Sequence, residues 1–126
     1  MKILFYFATL LLVASSKEDC NKKKIATNSL CKGRLEIKGI CMNYTIKLLE
    51  GNIDASLIES KWTDETTGKT YTNVFALGSP CSFPSTIQQG DEFTFRIDTI
   101  KKEQCAVCLA YYPKPQKHLS IVCTDK

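Results

Sequence analysis

Leu35-Glu36-Ile37-Lys38-Gly39-Ile40-Cys41-Met42-Asn43-Tyr44-Thr45-Ile46-Lys47-Leu48 places apolar side chains at nearly every second position. Leu35 and Ile37 alternate with charged residues, Gly39 interrupts, and Ile40, Met42, Tyr44, Ile46 and Leu48 resume the alternation. Period two is the repeat of a strand with one buried face. The stretch therefore predicts a single strand, bent or bulged at Gly39, which Glu50-Gly51-Asn52 closes with turn-forming residues.

The same pattern recurs on the C-terminal side. Ile53 to Trp62 fits a strand through Ile53, Ala55 and Leu57, and a helical spacing through Ala55, Ile58 and Trp62. It is read as a strand because Thr63-Asp64-Glu65-Thr66-Thr67-Gly68-Lys69 then joins it to Thr70–Leu77 as a hairpin. Gly78-Ser79-Pro80 and Pro84 bracket a loop holding Cys81. Phe93, Phe95 and Ile97 form the cleanest strand, with Glu92, Thr94, Arg96 and Asp98 on its wet face. Cys105, Val107, Leu109 and Tyr111 predict another, Pro113-Lys114-Pro115 a turn, and Leu119, Ile121 and Cys123 a last strand. About seven short strands at this spacing suggest an antiparallel sandwich or barrel. The reading adopted is all-β, a small disulfide-stabilised antiparallel β-sandwich. No repeat, low-complexity segment or linker divides it.

Residues 1–16 read as a secretory signal peptide: Lys2, an apolar run from Ile3 to Val13, and small residues at Ala14 and Ser16. The run is too short to span a bilayer, which needs about 20 apolar residues. Residues 17–126 then form a single secreted, extracellular β domain without a transmembrane segment. Without Lys2 the chain carries sixteen basic and thirteen acidic side chains, a surplus that aids solubility and does not by itself imply nucleic acid. Lys22-Lys23-Lys24 beside Cys20 reads as a solvated arm.

All seven cysteines follow the leader and mature where disulfides persist. Three bridges and one leftover thiol is the simplest account. On a regular strand, Cys105 and Cys108 have Cα atoms roughly 10 Å apart and opposite-facing side chains, whereas a bridge needs less than about 7 Å. The two therefore bond different partners, or the strand is broken there. Cys105, sharing a face with Val107 and Leu109, is placed toward the core and paired with Cys81. Cys31 with Cys41 and Cys20 with Cys123 complete the set, leaving Cys108 unpaired. Cys105, Cys108, His118 and Cys123 also form a possible zinc set, but oxidation of secreted thiols is the stronger reading. Thioredoxin-type redox use of the same C-x-x-C lacks a βαβ context. The reading contains no metal and no cofactor.

Asn43-Tyr44-Thr45 is an N-glycosylation sequon. Between inward-facing Met42 and Tyr44, Asn43 is expected to point to solvent and carry a glycan. Tyr111-Tyr112 with Lys114, bounded by Pro113 and Pro115, reads as a contact surface, since Tyr is enriched in interfaces. An equal alternative makes one Tyr core and one surface. His118 is the single histidine, which leaves little room for acid–base chemistry, although Glu92, Arg96 and His118 can be nominated as a ribonuclease-like set. There is no Gly-rich phosphate cradle, paired catalytic carboxylate or nucleic-acid motif.

From Cys81 onward, Cys81-Ser82-Phe83-Pro84, Gln89-Gly90-Asp91, the strand through Phe93 and Phe95, Val107-x-Leu109 and Cys123 resemble the ending of the secreted MD-2-related lipid-recognition family. The resemblance covers about the last 45 residues. Cys81 has no cysteine a few residues earlier for the family's short-loop bridge, and Cys105 is extra. The likeness implies a sandwich whose sheets part around a lipid or sterol. The sequence thus leads to a secreted, cysteine-rich, non-enzymatic binding protein acting extracellularly on a protein partner, host- or cell-surface-directed and effector-like. A lipid carrier is the second reading, and a small secreted ribonuclease or hydrolase the third.

Overall fold

A computed structural model describes residues 29–100 and 105–125 of the chain. The expected signal peptide, Cys20 and the lysine run lie outside them. Seven strands follow in order: β1 (Cys31–Lys38), β2 (Tyr44–Glu50), β3 (Glu59–Thr63), β4 (Thr70–Leu77), β5 (Glu92–Ile97), β6 (His118–Leu119) and β7 (Ile121–Asp125). All pair antiparallel except β6, which runs parallel to β4. This is the small antiparallel all-β fold that the alternation predicts.

The sheet order is β3-β4-β2-β1-β5-β7, with β6 beside β4. Only Ser120 separates β6 from β7, so residues 118–125 bond β4 at one end and β5 at the other. Ala76 N donates to Lys117 O (2.9 Å), Gly78 N to Leu119 O (2.7 Å) and Asp98 N to Ser120 O (2.8 Å). The sheet therefore closes on itself, and β3 continues as a hairpin along the first half of β4. The two halves of the curled sheet face each other across one core, as sandwich halves do, but the ladder is continuous between them.

Leu35, Ile46, Phe75, Phe93, Phe95, Ile87 and Ile121 fill that interior and are almost fully buried. Side chains alone fill small barrels, and each of these stabilises the fold by about 1.5–3 kcal/mol. Phe83 and Phe93 meet edge to face with ring centres 5.5 Å apart, and Phe75 and Phe95 lie 5.9 Å apart.

The opening stretch forms a hairpin, not one bent strand. Gly39 ends β1, and Cys41 (φ 56°) and Met42 (φ 57°) adopt the left-handed region that reverses the chain. Ile40 is left exposed. Before the turn, the ladder of β1 with β2 slips: Leu35 faces Ile46, but Ile37 faces Thr45. Cross-strand partners share a face, and neighbours along a strand do not. Ile37 thus joins Thr45 and its β4 partner Ala76 on the outer face of the sheet, opposite Ile46 and Phe75. Ile37, Thr45, Val74 and Ala76 are nevertheless buried, so this patch of the outer face is covered.

Ile53 to Trp62 divides into a short 3-10 turn at Ala55–Leu57, whose start is capped by Asp54 Oδ1 accepting from Ser56 N (2.8 Å), and β3. The strand predicted through Cys105, Val107, Leu109 and Tyr111 is absent: residues 105–117 have no regular structure. Their alternation finds no ladder because β1, β2 and β5 are already paired on both sides.

Candidate functional site

Residues 105–117 form a strap laid over the covered outer patch. Pro113 and Pro115 are buried, Lys117 O holds β4 at Ala76 N, and a Cβ at Gly39 would stand 2.7 Å from the Tyr112 ring. Glycine at position 39 is what lets Tyr112 seat there. The opposite side of the strap is open: Leu109 is 98% and Tyr111 78% exposed. Only Tyr112, Pro113 and Pro115 of the strap turn toward the sheet; the alternating Cys105, Val107, Leu109 and Tyr111 that mimic a strand in the sequence are all exposed.

Two disulfides hold the strap. Cys81 joins Cys105 (Cα–Cα 5.5 Å), as expected, and Cys41 joins Cys108 (5.1 Å). The second corrects two readings: Cys31 does not pair with Cys41, and Cys108 is not the spare. Cys105 and Cys108 do bond different partners, but strand geometry is not the reason, since no strand forms there, and Cys105 is exposed rather than directed to the core. Two of the three thiols that the zinc set needs, Cys105 and Cys108, are in disulfides. Among the described residues Cys31 and Cys123 are free. Both face Phe95, from β1 and β7 respectively, so about 10 Å separates them across two strand spacings, too far to bridge. Burial raises the Cys31 thiol, against a hydrogen bond to Ser29, and pushes Cys123 up to about 11; neither is a ready nucleophile. The expected Cys20–Cys123 bridge lies outside the described residues.

Asn43 sits in the hairpin turn, not on a strand, and is half-buried rather than turned freely to solvent. Its Nδ2 donates to Ile40 O (2.9 Å) and to Ala110 O on the strap (3.3 Å), and its Oδ1 accepts from Lys114 Nζ (2.9 Å). Tyr111 donates its hydroxyl to Glu65 in the β3–β4 turn. That hydrogen bond, burial and the charges of Glu65 and Asp64 raise the phenol. Asp64 builds the turn: its Oδ1 accepts from Thr66 N (2.9 Å) and Thr66 Oγ1 (2.7 Å). Burial works to raise its carboxyl, but the bonds from Thr66 and Thr67 prevail and hold it below the usual value.

The strap separates two clefts. The first, about 490 Å³, lies between the hairpin turn and the strap and is lined by Asn43, Cys108, Tyr112, Pro115 and His118. The second, about 410 Å³, lies between β3 and the strap and is lined by Glu59, Trp62, Glu65, Tyr111 and Gln116. Trp62 stacks on Tyr71 at 5.7 Å, and Lys69 lies 5.0 Å over the other ring partner, Tyr71. Tyr111 and Lys114 line both clefts, so the three residues read as a contact surface do come together. Tyr111 takes the surface role and Tyr112 the packed one. Trp62 and Glu65 were not legible as members: nothing in their spacing indicates that the β3 hairpin meets the strap.

Glu92, Arg96 and His118 do not meet. Arg96 faces Val122, four residues from His118 and so roughly 13 Å from it, and Glu92 is a similar distance further along β5. Glu92 pairs instead with Lys32 (3.1 Å). Partial desolvation, then the Lys114 charge, lowers the His118 imidazole. No helix among the described residues is long and apolar enough to cross a membrane. No family model matches the chain, and neither does any curated protein or solved structure.

Proposed function

We propose that this chain is a secreted, disulfide-stapled glycoprotein that acts by binding, without catalysis, and meets an extracellular protein partner through the strap and its flanking clefts. The observation that carries the reading is that both bridges converge on the irregular segment 105–117. They fix its outward side in place, so Leu109 and Tyr111 are presented on an ordered backbone. An aromatic side chain ordered before binding loses little entropy on contact, and Tyr is enriched at interfaces. A host- or cell-surface-directed, effector-like role fits a module of this size.

A lipid carrier calls for a gap between the halves of the sheet, and Phe75, Phe93, Phe95, Leu35 and Ile46 occupy that space. A hydrolase calls for converging groups, and the nominated three are strung along the barrel. The test is binding of the labelled secreted protein to cell surfaces before and after trypsin treatment of the cells. Saturable binding, abolished by trypsin and by Leu109→Ser/Tyr111→Ser, is expected. Binding that survives trypsin, or a lipid mass retained in native mass spectrometry, would replace the protein partner with a lipid.

A further inference from the structure

Thr45 is fully buried, and its Oγ1 is the buried side-chain polar atom without a hydrogen-bond partner among the described residues. It lies on central strand β2, between Ile37 and Ala76. Valine has nearly the same shape, has a strong strand preference and leaves no orphan. A buried hydroxyl without a partner destabilises the fold that contains it. The folded protein therefore gains nothing from this oxygen.

The unfolded chain has a use for it. Thr45 is the third residue of Asn43-Tyr44-Thr45, and an acceptor sequon requires a hydroxyl at that position. We infer that Thr45 is retained for recognition by the glycosylation machinery, and that Asn43 carries its glycan before β2 closes into the barrel. This rests on the secretory reading above and assigns the modification a structural signature. In the transfer, Asn43 Nδ2 attacks the anomeric carbon of a lipid-linked oligosaccharyl diphosphate. The new N–C bond replaces the sugar C–O bond, the lipid diphosphate leaves with the bonding pair, and one amide proton is lost to a base of the transferase.

The folded geometry accepts the product. Nδ2 keeps one hydrogen for one of its two present acceptors, Ile40 O and Ala110 O. Cys41–Cys108, two residues from Asn43 on the same turn, holds the strap without the lost bond. Asn43 lines the first cleft, so the sugar stands at its rim and the groove beside Trp62 is the one left open to a partner.

The test is expression of the full chain in cultured animal cells, followed by peptide mass spectrometry with and without an amidase that releases N-glycans. A glycan at Asn43, with the residue converted to Asp on release, is expected. Asn43→Gln and Thr45→Val should lose it, whereas Thr45→Ser, which keeps the hydroxyl, should retain it. A secreted chain with bare Asn43 overturns the inference alone. A chain left in the cytosol, bare, overturns it together with the secretory reading. Glycosylation that persists in Thr45→Val overturns the role given to the hydroxyl.

Discussion

Replacing Thr45 with Val should make the unglycosylated protein more stable. The hydroxyl is buried with no partner among the described residues, and proteins with such a group lose about 1–3 kcal/mol relative to one that has none. Valine puts a methyl group in the same place, between Ile37 and Ala76, where added apolar burial contributes at most about 0.8 kcal/mol. Against this stands the slightly greater bulk of a methyl under a closed strap, which erodes part of the gain. The net expectation is a stabilisation of about 1–2 kcal/mol. With a urea slope of about 1–2 kcal/mol/M for a domain of this size, the midpoint should rise by roughly 1 M. Thr45→Ser keeps the oxygen and loses the methyl, and should fall by about 1 kcal/mol. Urea unfolding of disulfide-intact protein from a non-glycosylating host measures both, followed by the fluorescence of Trp62, the single tryptophan, which is stacked on Tyr71. A Val variant with an unchanged or lower midpoint would show that the hydroxyl has a partner in the fold, and the case for its role in the unfolded chain would lose its physical basis.

Three further outcomes follow from the same geometry. Cys41→Ser/Cys108→Ser opens a bridge of sequence separation 67, for which chain entropy gives a loss of about 4 kcal/mol; limited proteolysis should then cut within residues 105–117, and an uncut strap would place its anchorage elsewhere. Asp64→Ala removes the acceptor for two bonds from Thr66 and should cost about 1–2 kcal/mol. In the wild type the same stabilisation is present above the unfolded carboxyl value near 3.9 and disappears as pH falls through the lower folded value; a wild-type stability that does not fall in that acid range would refute it. His118 has a folded value below its ordinary 6.5, so the unfolded chain binds its proton first: stability is full above about pH 6.5 and declines as pH falls toward the folded value. His118→Gln should flatten stability across that window, and an unchanged slope would refute the assignment.

Alternation located the strands whose two faces differ. Phe93, Phe95 and Ile97 against Glu92 and Arg96 predict β5 correctly because one face is core and the other solvent. It failed where that contrast was missing. Ile40 and Met42 continue the period of Leu35 and Ile37, yet the chain reverses between them at two left-handed residues, one of them bridged to Cys108. Val107, Leu109 and Tyr111 keep period two without a neighbouring strand, because the closing segment 118–125 takes the open edge of β5 and the end of β4. Barrel closure is a long-range event, and no local pattern reports it. The grouping of Tyr111, Tyr112 and Lys114 at one cleft was legible from their type and their prolines. Their companions Trp62 and Glu65, 46 positions from Tyr111 in the case of Glu65, were not.

β2 shows why alternation, which leaves the Asn43-Tyr44-Thr45 sequon in plain view, gives no sign that Thr45 is out of place in the fold. Thr45 looks like a wet-face residue beside inward Ile46, and on a strand with one solvated face a threonine asks for no explanation. The strap changes its meaning. Once Pro113 and Pro115 are buried and the outer patch of Ile37, Val74 and Ala76 is covered, β2 is buried on both sides at this point, and strands of that kind read as continuous apolar runs. A hydroxyl in such a run is a local choice that disagrees with the fold around it. Disagreements of this sort are expected where the sequence answers to something besides folding. On the inference above, Asn43 two residues earlier supplies the other demand. The strap that buries Thr45 and the bridge that fixes the strap beside Asn43 belong to one arrangement: the Cys41–Cys108 bridge closes the barrel's outer face over a hydroxyl that, on the inference above, serves before folding.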